Sequence, residues 1–279
     1  MSAARPPLTW LYAPGDRPAV VAKALRAGAD VVIVDLEDAV APERKEYARD
    51  ATAELLAQRQ AVPLHVRVNA LSSPEGVADL KTLLPCDGPS GVRLPKVVSP
   101  REVVRVARQA AALGRAGLRL YPLLESALGI EEAFRIARAD PSVGGLALGE
   151  ADLRADLGVR VDAGLDWCRS RVVVAARAAG LAPPAQSVHP DVRDLDGLAA
   201  GCARGRALGF LGRAAIHPRQ LPVIERAYLP TAREVEEAEE VVEAARRSGP
   251  GAQALPDGRF VDAAVLTAAH RTLALATPR

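Results

Sequence analysis

Eight short apolar runs, each followed within a few residues by a helical pattern, set the strongest constraint on this chain. The runs fall at 8–13, 31–34, 64–68, 91–94, 118–124, 143–148, 185–188 and 214–216. Several are continuous and β-branched, as in Val31-Val32-Ile33-Val34, the pattern of a strand covered on both faces. Pro18, Pro42, Pro74 and Pro100 sit where a first helical turn tolerates proline, and Gly28 and Gly114 stand at helix stops. Strict alternation with short connections predicts an α/β fold, a (β/α)8 TIM barrel over residues 1–228 that forms the catalytic domain. Residues 229–279 follow as a C-terminal helical extension: a charge-rich helix over 231–248, a Gly/Pro-rich linker over 248–258 and a last helix over 261–275. That last helix either caps the barrel or reaches a neighbouring subunit as a lid.

The chemistry-bearing residues cluster where strands end, which is where α/β barrels place their sites. Leu146-Ala147-Leu148 runs through Gly149 into Glu150 and Asp152, and the preceding strand ends at Glu125. Asp35 and Asp38 close the second strand. Several acids at one mouth repel unless a cation joins them. Glu125 and Asp152 are therefore the candidate metal ligands, hard oxygen donors suited to Mg²⁺ or Mn²⁺ rather than zinc. Arg67 lies inside a strand, where a guanidinium needs an anion: either a substrate carboxylate or an ion pair with Asp35 or Glu37. The N–H groups that open the helix after Gly149, around Ala151, can hold a carboxylate or oxyanion. Glu150 reads as structural, paired with an arginine, and Asp166 as a helix N-cap. Lys96 is a candidate anion binder or an exposed loop lysine. His189 and His217, each before a proline, read as loop-shaping residues.

Composition excludes other classes. Aromatic residues make up 3% and the formal net charge is +2, so neither base stacking nor a basic patch is available for nucleic acid. No apolar stretch is long enough for a membrane span, and the N-terminus lacks a signal-peptide core. Three cysteines, Cys86, Cys168 and Cys202, without CxxC spacing, fit reduced thiols. The expectation is a soluble, cytoplasmic protein.

Taken together, PGDRP (14–18), ADVVIVDLEDAV (29–40), VRVNA (66–70), LPK (94–96), LLESALGI (123–130), LGEADL (148–153), SVHPD (187–191), GFLGRAAIHPRQ (209–220) and FVDAAVL (260–266) resemble the citrate lyase β-subunit-like proteins. These are relatives of the malyl-CoA and citramalyl-CoA lyases in the metal-dependent class II aldolase superfamily. The resemblance implies a barrel, a homotrimer, Mg²⁺ and an acyl-CoA or acyl-carrier thioester. It places the metal on Glu125 and Asp152 and the substrate carboxylate on Arg67, with Asp35 and Asp38 near the metal's water shell. It also implies that Asp262 completes a neighbour's active site, with Asp262 or Asp38 as the acid/base. The activity implied is a carbon–carbon lyase of the Claisen/aldol type acting on malyl-, citramalyl- or citryl-CoA, with glyoxylate, pyruvate or oxaloacetate as the keto acid. A thioester hydrolase, a CoA-independent keto-acid aldolase and a non-catalytic carrier-protein-binding subunit are the alternatives.

Overall fold

In the computed structural model, which describes residues 5–248, 253–254 and 258–277, the apolar runs become a parallel sheet. Its strands are β1 (Thr9–Pro14), β2 (Val31–Asp35), β3 (Leu64–Arg67), β4 (Gly91–Leu94), β5 (Arg119–Leu124), β6 (Ala147–Leu148) and β7 (Arg213–Ala215). The order is β6-β5-β4-β3-β2-β1-β7, so sequential strands lie side by side and the last returns to the first. Every pairing in it is parallel, and β2, an interior strand between β1 and β3, is buried along its whole length.

Between the strands run α1 (Pro18–Ala24), α2 (Lys45–Leu56), α3 (Pro74–Leu83), α4 (Pro100–Ala112), α5 (Ala127–Glu131), α6 (Ala133–Ala137), α7 (Glu150–Leu157), α8 (Asp166–Ala178) and α9 (Leu195–Ala207). Local chemistry starts several of them. Pro74 and Pro100 occupy first turns, and Ser73 and Ser99 accept from the N–H groups of Gly76 and Arg101. Ser99 and Glu102 form a capping box, which satisfies donors that a helix start leaves unpaired. The buried face of α4 is Val103, Val106, Ala107 and Ala110, at helical spacing.

Two expected strands shrink, each for a visible reason. The run at 143–148 pairs as a strand only at Ala147–Leu148, with a single bridge from Val143 to Leu120. Between them, Gly144 lies so close to Tyr121 that a Cβ there would meet the ring at 2.8 Å. The run at 185–188 makes only isolated parallel bridges, Ala147 to Ala185 and Gln186 to Arg213. Past that point the carbonyls of Ser187 and Val188 accept from the Arg213 guanidinium instead of a neighbouring strand. Asp166 is not an N-cap either. It is the first residue of α8, and its carboxylate pairs with Arg169 and Arg204.

Residues Leu8–Glu225 form one compact unit. Arg226 onward, with the described residues before Leu8, forms another. In the second, α10 (Leu221–Tyr228) leads from the first unit into α11 (Ala232–Ser248). Val241 and Val242 of α11 pack with Val261 and with Ala269 of α12 (Ala263–Ala276). Most of the expected linker over 248–258 lies outside the described residues; within it, Gln253–Ala254 pairs antiparallel with Phe260–Val261. No described helix is long and apolar enough to cross a membrane.

Replacing Ser99 with Ala removes the capping box and is expected to lower stability by about 1 kcal/mol, read by urea unfolding. An unchanged midpoint would show that α4 is held by packing alone.

Candidate active site

The C-terminal ends of the strands open into a cavity of about 1180 Å³ that brings together Tyr12, Asp35, Asp38, Arg67, Arg93, Glu125, Ala151 and Asp152. Asp35 and Arg67 are register partners at the ends of β2 and β3. Arg67 binds Asp35 through both edges of the fork, Nε to Oδ1 at 2.7 Å and Nη2 to Oδ2 at 2.6 Å. Its Nη1 lies 3.0 Å from Glu37 and 3.1 Å from Asp38. Burial works against the charge on Arg67, but Asp35 and the other acids outweigh it and hold the guanidinium's pKa above its ordinary value. Of the two partners the sequence left open, the structure shows the ion pair.

Asp35 is fully occupied. Oδ1 also accepts from the Glu37 N–H, and Oδ2 from the Ala39 N–H. A buried carboxylate whose oxygens each accept two hydrogen bonds orients its arginine and the turn that follows. Asp38 differs: its side chain is 60% exposed at the mouth.

Glu125 follows β5 and is buried. Its Oε2 accepts from the Lys96 N–H at 2.9 Å. Lys96 is the one described non-glycine residue with positive φ, at 55°, a conformation that costs about 1 kcal/mol or more. That turn aims the Lys96 N–H at Glu125 while its Nζ reaches Glu37 at 2.9 Å. Lys96 is thus a strut between two acids, a role invisible in the sequence. Burial, then the charge of Glu37, and with them that of Asp152, raise the Glu125 pKa to about 7, even against the Lys96 hydrogen bond. Glu37 is itself pushed up by burial, against the pull of Arg67 and Lys96.

Gly149 lets this carboxylate fit. A Cβ there would stand 2.4 Å from Glu125 Oε1. Its N–H donates to the Leu124 carbonyl, and the Leu153 N–H donates back to its own carbonyl as the first bond of α7. Ala151 and Asp152 therefore lie in the first turn, where N–H groups have no acceptor within the helix. Glu150 is paired as expected, with Arg169 at 2.6 Å. Arg169 also binds Asp162 and Asp166, which Arg204 shares, and Arg154 pairs with Asp162, so that three acids and three arginines balance one another.

The remaining candidates lie as follows. His217 Nδ1 accepts from the Arg219 N–H, shaping its loop. His189 lines the cavity with Nε2 3.4 Å from Asp194. Asp262 belongs to the C-terminal unit, where its Oδ1 caps α12 by accepting from Ala264 and Val265. The residue that sequence reasoning missed is Arg93, buried in β4 beside Arg67. The signal was there: an arginine inside an apolar strand, the same anomaly that singled out Arg67.

The family model for HpcH/HpaI aldolase/citrate lyase matches residues 8–218, three quarters of the chain and all of the strands that build this cavity. The chain belongs to that family. It is 32% identical to the L-malyl-CoA/β-methylmalyl-CoA lyase of Cereibacter sphaeroides, covering 96% of this chain and 93% of that protein. It is 36% identical to a citrate lyase subunit β-like protein of Mycobacterium tuberculosis over 95% of this chain and 93% of the other. A solved structure of the M. tuberculosis protein CitE with magnesium, acetoacetate and coenzyme A superposes with a TM-score of 0.82, at 35% identity over 99% of both chains. Another, a citrate lyase β subunit from M. tuberculosis with oxaloacetate and magnesium, gives 0.69 at 34% identity, over 82% of this chain and 98% of that one. Family and relatives make this chain an enzyme of the lyase type.

Gly149→Ala is expected to fold yet lose Mg²⁺ affinity by about tenfold or more, because the added methyl displaces the Glu125 carboxylate. Calorimetric titration checks this, and an unchanged affinity would remove Glu125 from the metal site.

Proposed function

We propose that this chain is a Mg²⁺-dependent carbon–carbon lyase that cleaves or forms a 3-hydroxyacyl-CoA thioester, with acetyl-CoA and a 2-keto acid on the other side. The observation that carries it is the convergence of Glu125, Asp152 and Arg67, from separate strand ends, on one cavity. Around Glu125, five carboxylates (Asp35, Glu37, Asp38, Glu125 and Asp152) stand near three cations among the described residues, Arg67 and Lys96, which pair with them, and Arg93, which does not. This all-oxygen set with a negative excess fits Mg²⁺, which takes few protein carboxylates and keeps positions for substrate and water. Glu125 and Asp152 would hold the ion. Bound there, it supplies Lewis-acid polarisation of the substrate's carbinol or keto oxygen.

The chain's own residues do the rest. Arg67, fixed on three sides, presents its remaining Nη2 proton to the substrate carboxylate. The N–H of Ala151 adds a donor from the first turn of α7. In cleavage the hydroxyl proton passes to the Asp38 carboxylate as the carbon–carbon bond breaks and a keto group forms. The bond pair passes to the acetyl thioester as an enolate, which takes a proton at carbon. Asp38, exposed at the mouth, is the acid of this unit placed to exchange it. The family resemblance alone supports the homotrimer, the delivery of Asp262 from a neighbouring copy and the assignment of 229–279 as a lid. The bridges at Ala185 and Gln186 support a closed, eight-stranded barrel, since they span the gap between β6 and β7.

Incubation with Mg²⁺ and malyl-, citramalyl- or citryl-CoA is expected to release acetyl-CoA and a keto acid, and Asp152→Asn to abolish that release. Free CoA with the acyl acid intact would instead identify a thioester hydrolase. Because a proton on Glu125 competes with the cation, Mg²⁺ affinity should fall as the pH drops below about 7. A pH-independent affinity between pH 6 and 8 would contradict the assignment of Glu125.

A further inference from the structure

Three arginines are buried among the described residues, and two of them have acceptors. Arg169 is surrounded by Glu150, Asp162 and Asp166, and Arg213 donates to the carbonyls of Ser187 and Val188. Arg93 is the exception. It is 5% exposed, no ion pair among the described residues includes it, and its buried Nε has no acceptor. One face of its guanidinium lies over the Tyr121 ring, 5.6 Å from the centroid. A desolvated guanidinium without an anion is costly to keep, so its place in the cavity points to a ligand that supplies one.

Its position says which part of the ligand. Arg93 and Arg67 are register partners on β4 and β3, so their side chains leave the sheet on the same side, and both line the cavity. Tyr12 also lines it, with Arg67 5.2 Å over its ring. The phenol thus shares the cavity wall with both guanidiniums and the candidate metal ligand. The bulky thioester end of a substrate must point out of the cavity, which leaves the keto acid against this inner wall.

We propose that Arg93 binds a second carboxylate on the keto acid, so that this lyase acts on a dicarboxylic 2-keto acid of the oxaloacetate type rather than on pyruvate or glyoxylate. The inference rests on the lyase reading above. A monocarboxylic acid would set hydrogen or methyl against a buried, unpaired guanidinium, and sites built to bind a polar group reject analogues that lack it.

The test is calorimetric titration of oxaloacetate and of pyruvate into the Mg²⁺-loaded protein and its Arg93→Met and Arg93→Lys variants, with thermal melting as a check of folding. The unaltered protein is expected to prefer oxaloacetate. Arg93→Met should weaken oxaloacetate by roughly thirtyfold or more while moving pyruvate less than about threefold, and Arg93→Lys should recover part of the loss. If Arg93→Met does not fold, the preference of the unaltered protein and the behaviour of Arg93→Lys decide. Equal affinity of the unaltered protein for the two acids, or equal losses for both in the variants, overturns the role of Arg93 and leaves the lyase reading intact. Binding of neither acid in the presence of Mg²⁺ overturns the lyase reading, and this inference with it.

Discussion

The two-pronged pairing of Arg67 with Asp35 holds the rest of the site in place. It joins the ends of two neighbouring strands with charge-assisted bonds of 2.6 and 2.7 Å, the carboxylate buried and the guanidinium mostly so at the cavity wall. Removing one member of such a buried pair typically costs about 3–5 kcal/mol, because the other charge is left without a partner. From that anchor a chain of contacts runs through Glu37 to Lys96, and through the Lys96 N–H to Glu125. The position of the candidate metal ligand is thereby set by residues on three other segments. None of them touches the ion in this account.

Two backbone features make the chain of contacts possible. Lys96 adopts a left-handed conformation that a lysine ordinarily avoids, and the strain is offset by the two acids it serves. Gly149 does the opposite service by being small: any side chain there would occupy the space of the Glu125 carboxylate. A strained residue and an obligatory glycine on either side of one carboxylate mark a position that the fold has been shaped to present. The self-balanced network of Glu150, Asp162 and Asp166 with Arg154, Arg169 and Arg204, at the other wall, shows what a purely structural cluster looks like by contrast.

Much of the fold was legible because buried parallel strands write themselves as apolar runs. β2 and β4 lie where Val31–Val34 and Gly91–Leu94 announce them, within one residue. The strands at 143–148 and 185–188 were overestimated because hydropathy cannot show a tyrosine ring pressed on Gly144 or an arginine taking strand carbonyls. In the site, the acids at strand ends were visible as types but their partners were not. Asp35 looked like Asp152 in sequence. The register of β2 and β3 spends it on Arg67, while Asp152 falls in an exposed first turn. Lys96 carried no mark of its φ, since any lysine looks alike until the chain around it is folded. Arg93 did carry a mark, a charge inside a strand, and went unread.

The central claim is that one divalent cation binds between Glu125 and Asp152. Titration of Mn²⁺ followed by electron paramagnetic resonance, on the unaltered protein and on Glu125→Gln and Asp152→Asn, tests it without reference to any substrate. One site per chain is expected, and each substitution should remove it or weaken it by about an order of magnitude or more. Undiminished Mn²⁺ binding in both variants would place the metal, and the chemistry built on it, elsewhere.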